Sequence, residues 1–501
     1  MTNSKKAKLK ASGLFTTPDG QEVFGNLLLK RRKTVLRLQL KRELSTFGRA
    51  TVINGELGDL RKVSCLECVV GSTGSGYRDD AARYHYADIF PHFVTVGDRH
   101  FAPDEPSIRS VRFTTQDVPL IFCDFDAFGH LTDSKSAIES LVNDSKPNRN
   151  IAFGDSPQIF YFSGKHEVIA AETPIGLFRV SHRPSFSFGS SNGEFIRNSM
   201  VVTLEYDQPV AFDACIERMM SVHRFLSLVA GRKQSIESIA LDLVDELATK
   251  QSPLELHWVF APKRPKNEEG EPHPGDVPLD AVRRPEEFRT ILKDWLDREP
   301  EWKAARIRYE GCIGKSNFYD IDRLVAAANM FDVLPRDAVP TASHLSLELA
   351  NAQRKCREIF KQLALGVERD SVLGALGRMN KPSLTKKVLH RVAMVNDQLA
   401  ERFPDLVLVA STAVKVRNFF VHGSSDGLDY KKLELLLPFL TDALEFIFAT
   451  SDLISAGWDA AAWGDRHYGL GHSFTRFRRS YREHIALLRE AVAQYHEARG
   501  T

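Results

Sequence analysis

The chain has 501 residues, 43% of them hydrophobic, and a formal net charge of only +2 at neutral pH. The length predicts about two to four domains, and the apolar fraction is sufficient for ordinary packed cores. The small net charge excludes a strong overall attraction to nucleic acid, so any RNA contact has to come from local patches. Because no apolar stretch is long enough to span a bilayer, we expect a cytoplasmic protein without a membrane partner.

The first part of the chain has the pattern of a β-rich domain. From residue 14 to about 121, short apolar or alternating runs are separated by turns, and residues 35–40 alternate with period two. Residues 63–70 are predicted to form a further strand, and the basic residues 30–33 a solvated hairpin connection. The pattern favours a sandwich or a barrel.

Several segments imitate ligand sites, and we predict no cofactor and no metal. Residues 71–76 are glycine-rich, which predicts a flexible loop, and they lack the lysine of a phosphate-binding loop. Residues 311–316 are two positions short between their glycines for the same motif. Cys65 and Cys68 have redox or zinc spacing without a second pair, so they are interpreted as strand residues. Asp124-Phe125-Asp126 is predicted to be a turn.

Further strands, a helix and a hairpin complete the predicted first domain. The strands are expected at 158–162, 167–171, 177–181 and 200–206, the helix at 212–230, and the hairpin between 235–243 and 254–260. Residues 262–275 are rich in Pro, Gly and charge and are predicted to form a linker. We therefore predict an α+β chain with a β-rich domain at 1–280 and an all-α bundle at 281–501.

The second half has helical periodicity throughout. Its sixth predicted helix has an apolar stripe with apolar neighbours, so it should be central in the bundle, and Pro438 should kink it or mark its true start. The segment 463–472 is interpreted as a surface loop. Helices are predicted at 287–297, 321–331, 344–363, 384–403, 406–421, 430–455 and 474–497.

The segment Arg417-Asn418-Phe419-Phe420-Val421-His422 places a permanent cation, an amide and a titratable imidazole in a largely apolar setting. Arginine offers a planar fork of donors suited to phosphate, and histidine gives or takes a proton near neutral pH. RNA carries its own nucleophile, the 2′-hydroxyl. A protein that removes the proton of this hydroxyl and stabilises charge on the adjacent phosphate can cleave the strand without a metal.

Spacing alone is weak evidence, because an arginine followed four to six residues later by a histidine recurs elsewhere in the chain. Residues five apart on a straight helix point about 140° away from each other. Gly423 and the polar residues after it form a strong helix stop, so we expect His422 to leave the helical path and turn back towards Arg417. From the residues alone, a helix cap with a surface ion is the commoner explanation.

The motif Arg417-Asn418-x-x-x-His422, at the end of an apolar helix and before another one, resembles the signature of the HEPN superfamily, many of whose members are metal-independent ribonucleases. The rest of the chain resembles the ApeA-type anti-phage proteins, which join a β-rich N-terminal domain to a C-terminal HEPN domain. The stretches 13–29, 53–65 and 93–113 carry this second similarity as a pattern of strands and turns.

The resemblance implies a homodimer or higher homo-oligomer in which two sites face one RNA-binding cleft. His422 is then the general base or acid, Arg417 binds the phosphate, and Asn418 orients the histidine or holds a phosphate oxygen. It also implies an abortive-infection effector whose β-rich domain senses a phage-derived trigger. Two alternatives stay open at this point: a non-catalytic RNA- or nucleotide-binding module, and a protein-interaction module.

Overall fold

A computed structural model describes residues 9–41, 52–77, 83–145, 152–187, 191, 193–244, 252–265, 272–341, 345–423, 433–466, 469 and 471–499. The chain forms two compact units that are discontinuous in sequence. The first comprises Met1–Leu226, Gln234–Arg264 and Leu279–Leu296, and the second comprises Ser227–Lys233, Pro265–Pro278 and Asp297–Thr501. The predicted boundary between residues 280 and 281 stays a prediction.

The first unit is built on one antiparallel sheet, which confirms the β-rich half of the α+β prediction. Fourteen strands follow one another in the order β12-β13-β16-β9-β17-β18-β8-β5-β4-β1-β2-β3-β7-β6, and two further pairs, β10-β11 and β14-β15, stand apart. The strands are β1 Leu9–Thr16, β2 Glu22–Leu29, β3 Val35–Leu40, β4 Ile53–Leu57, β5 Lys62–Leu66, β6 Val69–Tyr77, β7 Arg83–Phe90, β8 Phe93–Gly97, β9 Ile108–Thr115, β10 Phe128–Leu131, β11 Ile159–Phe162, β12 Glu167–Thr173, β13 Gly176–His182, β14 Ser185–Phe186, β15 Ile196–Arg197, β16 Met200–Val210, β17 Ile236–Leu243 and β18 Leu254–Trp258.

Alternation of side chains fixes which face of this sheet is buried. In β3 every second residue is buried, with Leu36, Leu38 and Leu40 on the core side. Cys65 and Cys68 are buried in the same core, which agrees with their interpretation as structural residues. The predicted hairpin of β17 and β18 is present as an antiparallel pair.

Two predictions for residues 63–77 are wrong. The chain forms two strands there, β5 and β6, because it turns at Glu67, whose φ is +49°. The glycine-rich segment 71–76 is part of strand β6 and not a loop. Its glycines make room for rings of β7: a Cβ on Gly74 would lie 2.5 Å from the Tyr86 hydroxyl, and one on Gly71 would overlap Phe90. Composition suggested flexibility, but cross-strand aromatic packing requires glycine here.

The second unit is a helical bundle, which confirms the other half of the fold prediction. Helix α11 is central, as predicted: it contacts α5, α6, α9, α10 and α13 and is buried on nearly all sides. Pro438 lies in its first turn and marks its start. The helices of the chain are α1 Val118–Ile121, α2 Lys135–Ser145, α3 Phe212–Ala230, α4 Pro285–Asp297, α5 Glu299–Ile313, α6 Ile321–Asp332, α7 Leu347–Gln362, α8 Val367–Arg378, α9 Leu384–Leu399, α10 Leu406–His422, α11 Leu437–Ser455, α12 Ala460–Gly464 and α13 Ser473–Arg499.

The helices α1, α2, α5, α8 and α12 are absent from the sequence prediction. Helix α5 includes Gly311, the first glycine of the segment rejected as a phosphate-binding loop. None of the helices among the described residues is both long and apolar enough to cross a membrane.

Buried ion pairs attach α5 and α6 to α11. Arg306 of α5, whose side chain is 1% exposed, donates from Nε to Asp452 Oδ2 at 2.9 Å and from Nη1 to Glu299 Oε2 at 2.8 Å. Burial by itself raises the pKa of Asp452, but the positive charges of Arg306 and Arg298 hold it below its ordinary value. Removing either partner would leave an unpaired buried charge, which costs about 3 to 5 kcal/mol in general.

His472 is a buried N-cap of α13, so the prediction of a surface loop at 463–472 is wrong for this residue. Its Nδ1 accepts the N–H of Phe474 at 3.1 Å, and its Nε2–H donates to the carbonyl oxygen of Val229 at 3.1 Å. Gly231 lies against the imidazole with φ of +63°, and a Cβ there would come within 2.6 Å of Nε2. Burial lowers the pKa of His472 to about 4.

This histidine predicts a specific loss of stability in acid. Between its ordinary pKa of 6.5 and the folded value of about 4, the unfolded chain binds a proton that the folded chain does not. Stability is therefore complete above pH 6.5 and falls as the pH drops towards 4. In His472→Asn the shorter side chain keeps an N-cap acceptor but loses the bond to Val229, which should cost about 1 kcal/mol at pH 7.5.

The difference between wild type and His472→Asn should shrink at pH 5, because only the wild type has the histidine to protonate on unfolding. Urea unfolding of both proteins at pH 7.5 and pH 5 measures this. An equal difference at the two pH values would contradict the role given to His472.

Candidate functional site

The candidate site lies at the C-terminal end of α10. This helix starts after Asp405, whose left-handed φ of +59° sets the direction of entry, and buries the apolar side of its first three turns. It ends at Gly423, which adopts φ of +67° and donates its N–H to the carbonyl oxygen of Phe419 at 2.8 Å. The predicted glycine stop is confirmed. Residues 424–427, the rest of the predicted stop, lie outside the described residues.

His422 is the last residue of α10, so the expectation that it leaves the helical path is wrong. It nevertheless meets Arg417: the distance between Arg417 Nη1 and His422 Nε2 is 3.4 Å. The long arginine side chain spans the angular gap that separates residues five apart on a helix. The two side chains that the sequence singled out are thus brought together without any unwinding.

Arg417 is the centre of the polar contacts in this site. Its Nη1 also donates to Asn418 Oδ1 at 3.0 Å, and its Nη2 donates to Asn329 Oδ1 at 2.7 Å. A guanidinium has donors only, so the close approach of Nη1 suits an imidazole whose Nε2 carries a lone pair.

Asn329 is the site residue that sequence reasoning missed. It belongs to α6, 88 positions before Arg417, and lies between buried residues of that helix. A polar residue in the apolar run Ala326-Ala327-Ala328-Asn329-Met330-Phe331 was the only available signal. Its amide oxygen fixes one side of the guanidinium and so sets the direction in which the rest of it points.

One buried donor of the guanidinium is unsatisfied. The Nε of Arg417 is buried and has no hydrogen-bond partner among the described residues. An unpaired buried donor is costly, and the packing around Arg417 leaves one of its hydrogen-bonding groups unsatisfied. His422 itself is exposed, as are Phe420 and Val421, so the end of α10 is open to solvent.

A second polar cluster in the same unit, formed by residues of α6 and α11 and by Tyr319, lines part of a pocket. Arg323 binds Glu445 through two hydrogen bonds of 2.7 and 2.9 Å, and the Tyr319 hydroxyl donates to Asp442 at 2.8 Å. Burial and the neighbouring Glu445 raise the pKa of Asp442 to about 7, although 35% of its side chain is open to the pocket. This cluster fixes α6 to α11.

Metal-site geometry is not seen in the described part of the chain, where no group of three or more His, Cys, Asp or Glu side chains is placed to hold an ion. Asp124 accepts the backbone N–H of Asp126 at 3.1 Å and pairs with Lys165 at 2.8 Å. The prediction of a turn at this position agrees with these contacts.

Two family models match the chain. The one described as ApeA N-terminal domain 1 covers residues 10–295, and the one described as Apea-like HEPN covers residues 325–462. No curated protein and no solved structure gives a match. Both Asn329 and the segment from Arg417 to His422 lie within the second matched region.

The contact between Asn329 and Arg417 predicts opposite effects for two substitutions. Asn329→Ala leaves a half-buried guanidinium Nη2 without its acceptor and should lower the free energy of unfolding by about 1 to 2 kcal/mol. Asn329→Asp keeps an acceptor and adds a negative charge beside the cation, so it should retain the wild-type stability or exceed it. Chemical denaturation of the three proteins decides; equal destabilisation by both substitutions would show that the contact contributes nothing.

Proposed function

We propose, from the premise that the chain belongs to the ApeA family of proteins with a C-terminal HEPN domain, that it is an endoribonuclease of bacterial anti-phage defence. HEPN-type domains are generally nuclease-like, and the family points to an RNase-like effector. The observation that carries the proposal for this chain is the contact of Arg417 with His422 at an exposed helix end.

The proposed reaction uses the nucleophile of the substrate. His422 takes the proton of a ribose 2′-hydroxyl through Nε2, and the 2′-oxygen attacks the adjacent phosphorus. The bond from phosphorus to the 5′-oxygen breaks, and this oxygen receives a proton. The products are a 2′,3′-cyclic phosphate and a 5′-hydroxyl. No metal is needed in this scheme.

Arg417 stabilises the charge that builds up on the phosphate. Its guanidinium lies beside the exposed His422, where a phosphate oxygen can approach it from solvent. Asn418 accepts a hydrogen bond from Nη1, the same nitrogen that approaches His422. Asn329 acts as a positioning residue through Nη2.

A homodimer completes the proposed site. A two-fold axis would place His422 of the partner subunit across the scissile phosphate, where it can protonate the leaving 5′-oxygen. The β-rich N-terminal region is proposed to hold the nuclease inactive until it senses a phage-derived trigger, because a nuclease that is always active would harm its host.

Cleavage of cellular RNA by purified variants tests the catalytic assignment. With EDTA present, His422→Ala should lower the cleavage rate by about 10² to 10⁴, and Arg417→Ala should lower it comparably. Arg417→Lys keeps the charge but loses the fork and should remain impaired. Lys415→Ala is the matched control, because Lys415 is an exposed cation on the same helix.

Cutting by His422→Ala at the wild-type rate would overturn the assignment. A wild-type protein that binds RNA but does not cleave it in vitro, and that causes no RNA cleavage in infected cells either, would favour a non-catalytic RNA-binding module. Equal loss in Lys415→Ala would assign the effect to general electrostatics and not to the site.

A further inference from the structure

Helices α7 and α8 form a hairpin that has no buried residue. Each of the helices α9, α10 and α11 has a buried face, whereas α7 and α8 have none and pack mainly against each other. The hairpin is held by a bond from Gln353 to the carbonyl oxygen of Leu376 and by one of 2.8 Å from Arg369 Nε to the carbonyl oxygen of Phe360. Two short helices that bury so little apolar surface are only marginally stable in water, so we expect another protein surface to cover this hairpin.

Helix α7 presents a continuous apolar stripe to solvent. Its members are separated alternately by three and four residues, which is the a/d spacing of a coiled coil. They are exposed, with values of 49% for Leu349, 58% for Ile359 and 52% for Leu363. On the helix the stripe is Leu349, Ala352, Cys356 and Ile359, and the C-cap residue Leu363 follows at the same spacing.

The charges of α7 favour a protein and not RNA on this stripe. Arg354, Arg357, Glu358 and Lys361 occupy the outer positions of the heptad, and Glu348 and Lys355 flank the stripe, which itself has no charge. RNA is bound through phosphate, which demands cations at the contact surface. An uncharged a/d stripe is instead complementary to another such stripe.

We propose that the partner is a second copy of this chain, whose α7 packs in parallel against this α7 about a two-fold axis. A symmetric pair presents the same stripe from both sides, and the two hairpins together form a four-helix bundle. In this arrangement Cys356 of one subunit lies opposite the partner's Cys356, because both occupy the same a position on the axis.

The charge of Glu348, beside the stripe, agrees with this pairing. The two bonds within the hairpin set residue 353 level with 376 and residue 360 level with 369. Glu348 is then level with the basic end of α8 and its continuation, Arg378 and Lys381. In the parallel pair the flank of α7 that carries Glu348 faces the partner's α8, so opposite charges meet there.

The hairpin leaves the bundle near the candidate site. It is inserted between α6 and α9, where Lys387 Nζ donates to the carbonyl oxygen of Asp332 at 3.0 Å. Asp332 is the last residue of α6, about one turn after Asn329, which holds Arg417. The role of the pairing rests on the proposed function, which requires a dimer with two sites. The pairing adds the surface that holds the two copies together.

Cross-linking of the full chain tests the pairing directly. Cys356 is the exposed cysteine among the six of the chain. Mild copper-phenanthroline oxidation or a short bismaleimide should convert the wild type to a covalent dimer, and Cys356→Ser should abolish this product. Absence of the cross-link in the wild type would overturn the proposal, and this arm needs no destabilising variant.

The second arm measures mass in solution. The double substitution Leu349→Asp and Ile359→Asp should raise the dissociation constant of the dimer at least about tenfold, because each dimer would then have four carboxylates in its interface. Leu141→Asp is the matched control, since Leu141 is a 62% exposed leucine on another helix, α2. Light scattering gives the mass, and circular dichroism confirms that the variants keep their helix content.

A dimer that persists unchanged in the double variant overturns the proposal. If the double variant keeps the wild-type mass but binds RNA more weakly, the stripe is a nucleic-acid surface and the pairing is wrong. The nuclease hypothesis can fail independently of the pairing. In that case the wild type and Arg417→Ala are both dimeric and neither protein cleaves RNA.

Discussion

The ion pair between Arg323 and Glu445 is the constraint on which the candidate site depends. It fixes α6 to the central helix α11 through two hydrogen bonds between nearly buried side chains. Asn329 lies six positions further along α6, and its amide oxygen holds the guanidinium of Arg417. A shift of α6 along α11 would therefore move the acceptor away from Arg417 and release the arginine from His422.

The chemistry of α11 explains why this arrangement is rigid. A helix that is buried on nearly all sides would ordinarily be apolar, yet α11 carries Asp442, Glu445 and Asp452. Glu445 and Asp452 bind arginines of α6 and α5, and such charged pairs tolerate little displacement because an unpaired buried charge is so costly. The apolar faces provide most of the burial energy, and the ion pairs set the register between the helices.

Much of the fold was predictable because its signals are local. Alternation gave β3, the 3.6-residue period gave α10 and α13, and Gly423 marked a helix end. Two kinds of feature had no local signal. The glycines of β6 suggest a loop in the sequence, because the rings that pack on them belong to another strand, β7. His472 suggests a surface residue, because its partner Val229 is 243 positions away.

The candidate site shows the same division. Arg417, Asn418 and His422 were predicted because they are neighbours in sequence and match a family motif. Asn329 was not, because its role arises only when α6 packs beside α10. The expected departure of His422 from the helix was wrong for a related reason: periodicity describes directions of Cα–Cβ bonds, whereas the reach of an arginine side chain exceeds one helical turn.

Replacement of the substrate's own nucleophile is the most direct test of the account. Two RNA oligonucleotides that differ only in the 2′-hydroxyl at the mapped cleavage position, one of them carrying 2′-deoxyribose there, would be incubated with wild-type protein in EDTA. The account predicts that the RNA is cut to a 2′,3′-cyclic phosphate and a 5′-hydroxyl, and that the deoxy-substituted strand stays intact at that position. Cleavage of both strands at the same bond would contradict it, because attack would then come from water and not from the 2′-oxygen.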